Sequence, residues 1–123
     1  MTRVRYRRLS LGTALLILVG LGYVGLRNGL AEWSHADTPG QRLASVTEAL
    51  YGLLGLVAGV GLVTRRTWTV PVVIAWAVSV TMTAGLAPVV WGGAGLWAGV
   101  AAAAATALIA SGVIWLARRA LAP

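Results

Sequence analysis

The sequence predicts an all-α integral membrane protein, a four-helix bundle with both termini on the cytoplasmic side. Three observations predict it. The 123 residues are 59% hydrophobic and only 11% charged, well below the charge of a soluble domain. The apolar residues fall in four runs, each long enough to cross a hydrocarbon layer of about 30 Å at about 1.5 Å per residue. The arginines gather at the ends of those runs, alternating from dense to sparse along the chain, as the positive-inside rule requires.

The first run spans Leu9 to Leu26 and extends toward Ala31. It has the basic start of a secretory signal, and Gly29-Leu30-Ala31 has the small-x-small form. Its apolar stretch is longer than an h-region, however, and Arg27 sits where the cleavage region is neutral, so it reads as a retained helix. The second run, Leu43 to Val63, is preceded by Thr38-Pro39-Gly40-Gln41. That stretch places threonine at the N-cap, proline at N1 and glutamine at N3 of a capping box. The third run spans Val70 to Trp91 and the fourth Leu96 to Leu116. The predicted helices are about 9–30, 40–64, 70–91 and 95–117, in one membrane domain covering residues 1–123.

Orientation follows from charge. Arg3, Arg5, Arg7, Arg8, Arg65, Arg66, Arg118 and Arg119 fall on one side of a four-span topology. Arg27 and Arg42 fall on the other, with Glu32 and Asp37. This places the termini in the cytoplasm and the protein in a bacterial inner membrane as a multi-pass protein. The net charge of +7 is thereby explained by topology, and nucleic acid is not expected as a partner. Trp97 and Trp115 lie about five turns, roughly 27 Å, apart on one helix face. Trp68 and Trp91 bracket the third helix. All four are expected to anchor the membrane interfaces. Trp76 falls mid-helix, as packing filler or as the wall of a cavity.

Small residues define the packing faces. On the second helix Gln41, Ser45, Glu48, Gly52, Gly55 and Gly59 share one face, flanked by Tyr51. Val46, Leu50, Leu53, Val57 and Val60 share the opposite one. Gly95 and Gly99 repeat the small-xxx-small spacing on the fourth helix, and Gly22, Gly25 and Gly29 form a third small face on the first. Small faces let helix backbones approach in lipid, here by default within one chain.

Chemistry is sparse. There are no cysteines and one histidine, His35, which removes thiolate sites and leaves His35 as a solvated loop residue. No nucleophile–base pair, metal cluster or phosphate loop is present, which points away from a self-contained enzyme. No cofactor is predicted, although a quinone or a lipid would fit a bundle of this kind. The polar residues that remain cluster on the outer side. Glu48 would lie roughly 6 Å inside the outer hydrocarbon boundary. An ionisable group there is either a functional site or a lock between helices. The candidate pocket or lock comprises Glu48, Tyr51, Arg27 and Asn28. Arg27 either pairs with Glu48 or extends to headgroups from a face turned away from Gly22. Ser79 and Thr83 are expected to bond their own backbone.

Glu48-Ala49-Leu50-Tyr51-Gly52-Leu53-Leu54-Gly55-Leu56, followed by Gly61-Leu62-Val63-Thr64-Arg65, resembles the second helix of DoxX-like four-helix membrane proteins. The other helices are similar in length and order. The lysine found near the end of helix one in that family is absent here, where Arg27 stands nearby. The resemblance implies a small inner-membrane protein, non-catalytic or associated with redox partners, and carries over only Glu48. Three functions follow as expectations. The first is a membrane subunit that associates with other subunits or with itself. The second is a lipid- or quinone-binding bundle with an outer-side pocket at Glu48. The third is a proton-coupled small-molecule exporter, although such four-helix transporters carry their glutamate in the first helix.

Overall fold

The computed structural model describes residues 2–123; Met1, included in the predicted domain, lies outside them. Four helices follow one another: α1 (Thr2–Trp33), α2 (Pro39–Thr64), α3 (Thr69–Val90) and α4 (Leu96–Leu121). All four are long and apolar enough to cross a membrane. They pack in sequence, α1 on α2, α2 on α3 and α3 on α4, with α4 returning to α1. Leu18, Leu62, Trp76 and Val113, one from each helix, meet in the common core.

The helix boundaries have local causes. α1 begins earlier than predicted, because the arginine-rich segment before Leu9 contains good helix formers and no breaker. α2 starts as the sequence expects: Thr38 Oγ1 accepts from the Gln41 backbone N–H at 3.1 Å. The return bond differs from a simple capping box. Gln41 Oε1 accepts from the Asp37 N–H at 2.8 Å, while Gln41 Nε2 donates to the Val90 carbonyl at 3.1 Å. One side chain thus ties the start of α2 to the end of α3. Pro71 stands in the first turn of α3, where its missing N–H has no partner to lose.

α2 ends in a Schellman-type turn. Arg65 takes the left-handed conformation at φ 55°, and the N–H groups of Arg65 and Arg66 close onto Leu62 and Gly61. This place is usually glycine, since a Cβ costs about 1–2 kcal/mol there. The Arg65 side chain offsets that cost. Its guanidinium donates to the carbonyls of Ala120 and Leu121 at 3.1 Å each and of Ala122 at 3.4 Å. A cation thereby sits at the negative end of the α4 dipole.

The seam between α1 and α2 is the closest in the bundle. A Cβ on Gly52 would lie 2.2 Å from the Leu26 backbone nitrogen and 2.7 Å from the Gly22 carbonyl oxygen. A Cβ on Gly29 would lie 2.5 Å from the Ala49 nitrogen. Backbone meets backbone, so no rotamer change could make room. Gly55 faces the Leu18 carbonyl, and Gly59 faces the Val19 side chain. The outward face of α2 carries Val46, Leu50, Leu53, Val57 and Val60, all exposed. Backbones this close gain dense van der Waals contact along the seam.

α3 and α4 approach through Gly99, whose Cβ would lie 2.6 Å from the Gly85 carbonyl oxygen. Gly95, expected to share this packing role, does not. It is the exposed N-cap of α4, with open space where a Cβ would be. The helix starts only at Leu96, so the small-xxx-small spacing begins one residue too early to form a face.

Replacing Gly52 by alanine should therefore force α1 and α2 apart and lower stability by about 1–3 kcal/mol. Gly12, with nothing within 4 Å of its would-be Cβ, should accept alanine with no loss. Thermal unfolding of the two variants in one detergent checks the contrast.

Candidate functional site

The glycine seam sets up the site at the end of the bundle away from the arginine clusters. With Gly29 on Ala49 and Gly25 beneath the Tyr51 ring, the next α1 residue on the same face is Glu32. The adjacent inward residue of α2 is Glu48. Their carboxyl groups come close together. Glu48 is buried, and Glu32 Oε2 is buried without a conventional donor. Two ionised carboxylates in contact repel, and a carboxyl–carboxyl hydrogen bond requires a proton between them. Tyr51 stands about one turn along α2 from Glu48. Its ring covers Gly25, whose Cβ would fall 2.4 Å from Cε2. Only glycine leaves room for that ring.

Hydroxyl groups join this region to the neighbouring helices. Ser45 Oγ donates to the Gly29 carbonyl at 3.2 Å. Thr47 gives its proton to the Ala44 carbonyl at 2.9 Å, which leaves its oxygen free to accept from Thr83 Oγ1 at 2.8 Å. Thr83 also lies 3.0 Å from the Ser79 carbonyl, and Ser79 bonds the Ala75 carbonyl at 3.0 Å. Ser79 thus has the backbone partner expected of it, whereas the single Thr83 proton is shared between the Ser79 carbonyl and Thr47. Thr83 adds a buried bridge to α2, which the sequence reading did not include.

Below the acids is a cleft of about 300 Å³. The buried positions of α4 concentrate in its second half, at Ala110, Val113, Ala117 and Ala120, with Gly99 alone in the first. α4 therefore parts from α1 toward the acidic end. Leu21 of α1, Tyr51 of α2, Trp76, Val80, Thr83 and Ala84 of α3, and Thr106, Ile109 and Ala110 of α4 line the opening. Trp76 is at once core and cavity wall: 1% exposed, with an indole N–H that has no acceptor. A buried donor without a partner is uncommon and costs about 1–3 kcal/mol. Pro88, four residues after Ala84, has no N–H to close onto the Ala84 carbonyl, so one rung of the α3 ladder is missing at the cleft wall.

Of the sequence-predicted site, Glu48 and Tyr51 come together. Arg27 and Asn28 do not join them; both are exposed, on the face of α1 turned from Gly22, Gly25 and Gly29. The partner of Glu48 is Glu32 rather than Arg27. Glu48 itself faces the α1–α2 seam and is not among the cleft residues, so the pocket lies beyond Tyr51 rather than at Glu48. Trp68, Trp91, Trp97 and Trp115 are all exposed, and the Trp68 ring also rests on Gly61. His35 is exposed. Among the described residues no group of three or more His, Cys, Asp and Glu side chains converges.

Comparison with protein-family models, curated proteins and solved structures finds no match to this chain.

If the two carboxyls share a hydrogen bond, Glu48→Gln should leave stability nearly unchanged, because its amide can donate to Glu32. Glu48→Ala should cost about 1–3 kcal/mol by leaving the buried Glu32 oxygen without a partner. Unfolding midpoints of both variants against wild type test this ordering.

Proposed function

We propose that the chain is a multi-pass membrane protein that binds a bilayer-dissolved molecule carrying a hydrogen-bond acceptor on an apolar body, such as a quinone or a lipid. The observation that carries this reading is a largely apolar cleft walled by Trp76, whose buried indole N–H has no acceptor in the chain. The N–H is covered as the helices stand, so a carbonyl-bearing ring would reach it with a small shift of the indole while its tail stays in hydrocarbon. Tyr51, Thr83 and Thr106 supply further polar groups around it, and the volume lies at the lower end of small-molecule sites. Four helices apolar enough to cross a membrane support a ligand drawn from the bilayer. The cleft then opens sideways between α1 and α4.

In this reading the arginine-rich end faces the cytoplasm of a bacterial cell. Arg7 and Arg65 both reach the last carbonyls of α4, which supports placing those clusters on one side of the membrane. The resemblance of α2 to DoxX-like proteins agrees with a small inner-membrane protein working beside redox partners. A second reading, a membrane subunit that docks other helices, draws on a different feature. Gly12 and Gly20 of α1 and Gly112 of α4 are exposed and have nothing opposite them, as sites of close helix approach would in an isolated chain.

A short-chain prenylated benzoquinone titrated into the purified protein tests the first reading. Binding should saturate. Trp76→Phe, which keeps the ring and loses the donor, should weaken it about tenfold, the effect of one buried hydrogen bond. Ala84→Leu should fill the cleft and abolish binding while leaving the helical circular dichroism intact. Equal affinity in wild type and Ala84→Leu would contradict the proposal.

A further inference from the structure

The opposite end of the bundle holds a second cavity with different chemistry. It has a volume of about 450 Å³ and is lined by Arg3, Tyr6 and Arg7 of α1 and by Arg119, Ala122 and Pro123 at the end of α4. Its guanidinium groups are partly ordered by the fold. The Arg119 guanidinium carbon lies over the Trp115 ring at 4.9 Å and over the Tyr6 ring at 5.9 Å. Arg7 donates to the Ala122 carbonyl, the same carbonyl that Arg65 reaches from the α2–α3 turn. Cation–π attraction to both rings restrains the Arg119 guanidinium and leaves its N–H groups available as donors.

No carboxylate side chain reaches this cavity. The sequence has three acidic residues, Glu32, Asp37 and Glu48, and all belong to the other end. Three guanidiniums line one cavity with no acidic side chain among its lining residues, more positive charge than the main-chain carboxylate of Pro123 could offset, and so favour an anionic ligand. The forked N–H geometry of arginine matches the paired oxygens of a phosphate. The rim determines which phosphate. Tyr6 and Trp115 are more than half exposed, at 55% and 56%, and the apolar flank of α4 continues from them through Leu108, which is 77% exposed. A phosphate held by the arginines would lie directly above an aromatic and aliphatic surface, as a headgroup lies above its acyl chains.

We propose that this cavity binds the phosphate of an anionic phospholipid headgroup, with Arg3, Arg7 and Arg119 as the charged contacts and Tyr6 and Trp115 against the upper acyl chains. The site is separate from the cleft at Trp76 and does not depend on what that cleft binds. Free inorganic phosphate shares the headgroup's chemistry but has no use for the aromatic rim.

Native mass spectrometry of the full chain, released from detergent with phosphatidylglycerol, phosphatidylcholine or inorganic phosphate, separates these cases. The expected result is one phosphatidylglycerol retained per chain, in clear preference to phosphatidylcholine and undiminished by millimolar phosphate. Arg3→Gln with Arg119→Gln should lower that retention at least about tenfold, as the loss of charge-assisted hydrogen bonds requires. Arg66→Gln with Arg118→Gln removes the same charge outside the cavity and should retain the lipid. Ala84→Leu should leave it unaffected. Equal retention in the two arginine pairs, equal retention of the two lipids, or displacement by inorganic phosphate would each overturn the proposal. Arg119→Lys, which keeps the charge and loses the planar guanidinium, serves should the double variant fail to fold. It too should weaken retention, and full retention there would also count against the site.

Discussion

The contact of Gly52 with the backbone of Gly22 and Leu26 is the constraint on which the rest of the structure depends. Two helix backbones in such contact leave no freedom in axial register. Once Gly52 is seated, Gly29 must meet Ala49, Tyr51 must lie over Gly25, and Glu32 must arrive beside Glu48. The carboxyl pair is therefore a consequence of glycine packing one to three turns away. The same seam brings Gly55 against Leu18 and beside Trp76, which places the indole that walls the cleft. A larger residue at any of these points would displace the acids and the cleft together.

The two ends of the bundle divide the chemistry between them. At one end helix carbonyls and guanidiniums satisfy each other: Arg65 and Arg7 converge on the last turn of α4 and hold it to α1 and α2. That clasp explains why α1 and α4 are close there. At the other end α4 has no such attachment. Its first half touches the rest mainly through Gly99 against Gly85, and the separation from α1 becomes the cleft. A bundle clasped at one end and parted at the other needs no additional element to create an opening.

Much of this was legible in the sequence. Four apolar runs gave the four helices, and the wheel of α2 separated Gly52, Gly55 and Gly59 from Leu50, Leu53 and Val57 as the structure does. Thr38 and Gln41 announced the start of α2. The carboxyl pair was half visible. Gly22, Gly25, Gly29 and Glu32 follow one helical face, so extending the glycine stripe by one step would have selected Glu32 over Arg27. Charge complementarity alone offered Arg27 as a partner, while its direction on the helix, away from Gly22, already turned it toward headgroups. The cleft was not legible, because it arises from the divergence of α1 and α4, a property of their relative angle rather than of either sequence. Arg65 was hidden for a related reason: its left-handed turn is supported by carbonyls more than fifty residues away.

The central claim, that close glycine packing seats Glu32 against Glu48, is open to a direct spectroscopic test. These are the only two glutamates in the sequence, so ¹³C labelling of glutamate yields a carboxyl spectrum with two resonances to assign. Solid-state NMR of the labelled protein in lipid bilayers should show a strong through-space cross-peak between the two Cδ atoms. Their separation should be about 4 Å, the span of two carboxyl groups joined by one O–H···O bond. Two carboxyl resonances without that cross-peak would contradict the register of the α1–α2 seam and everything built on it.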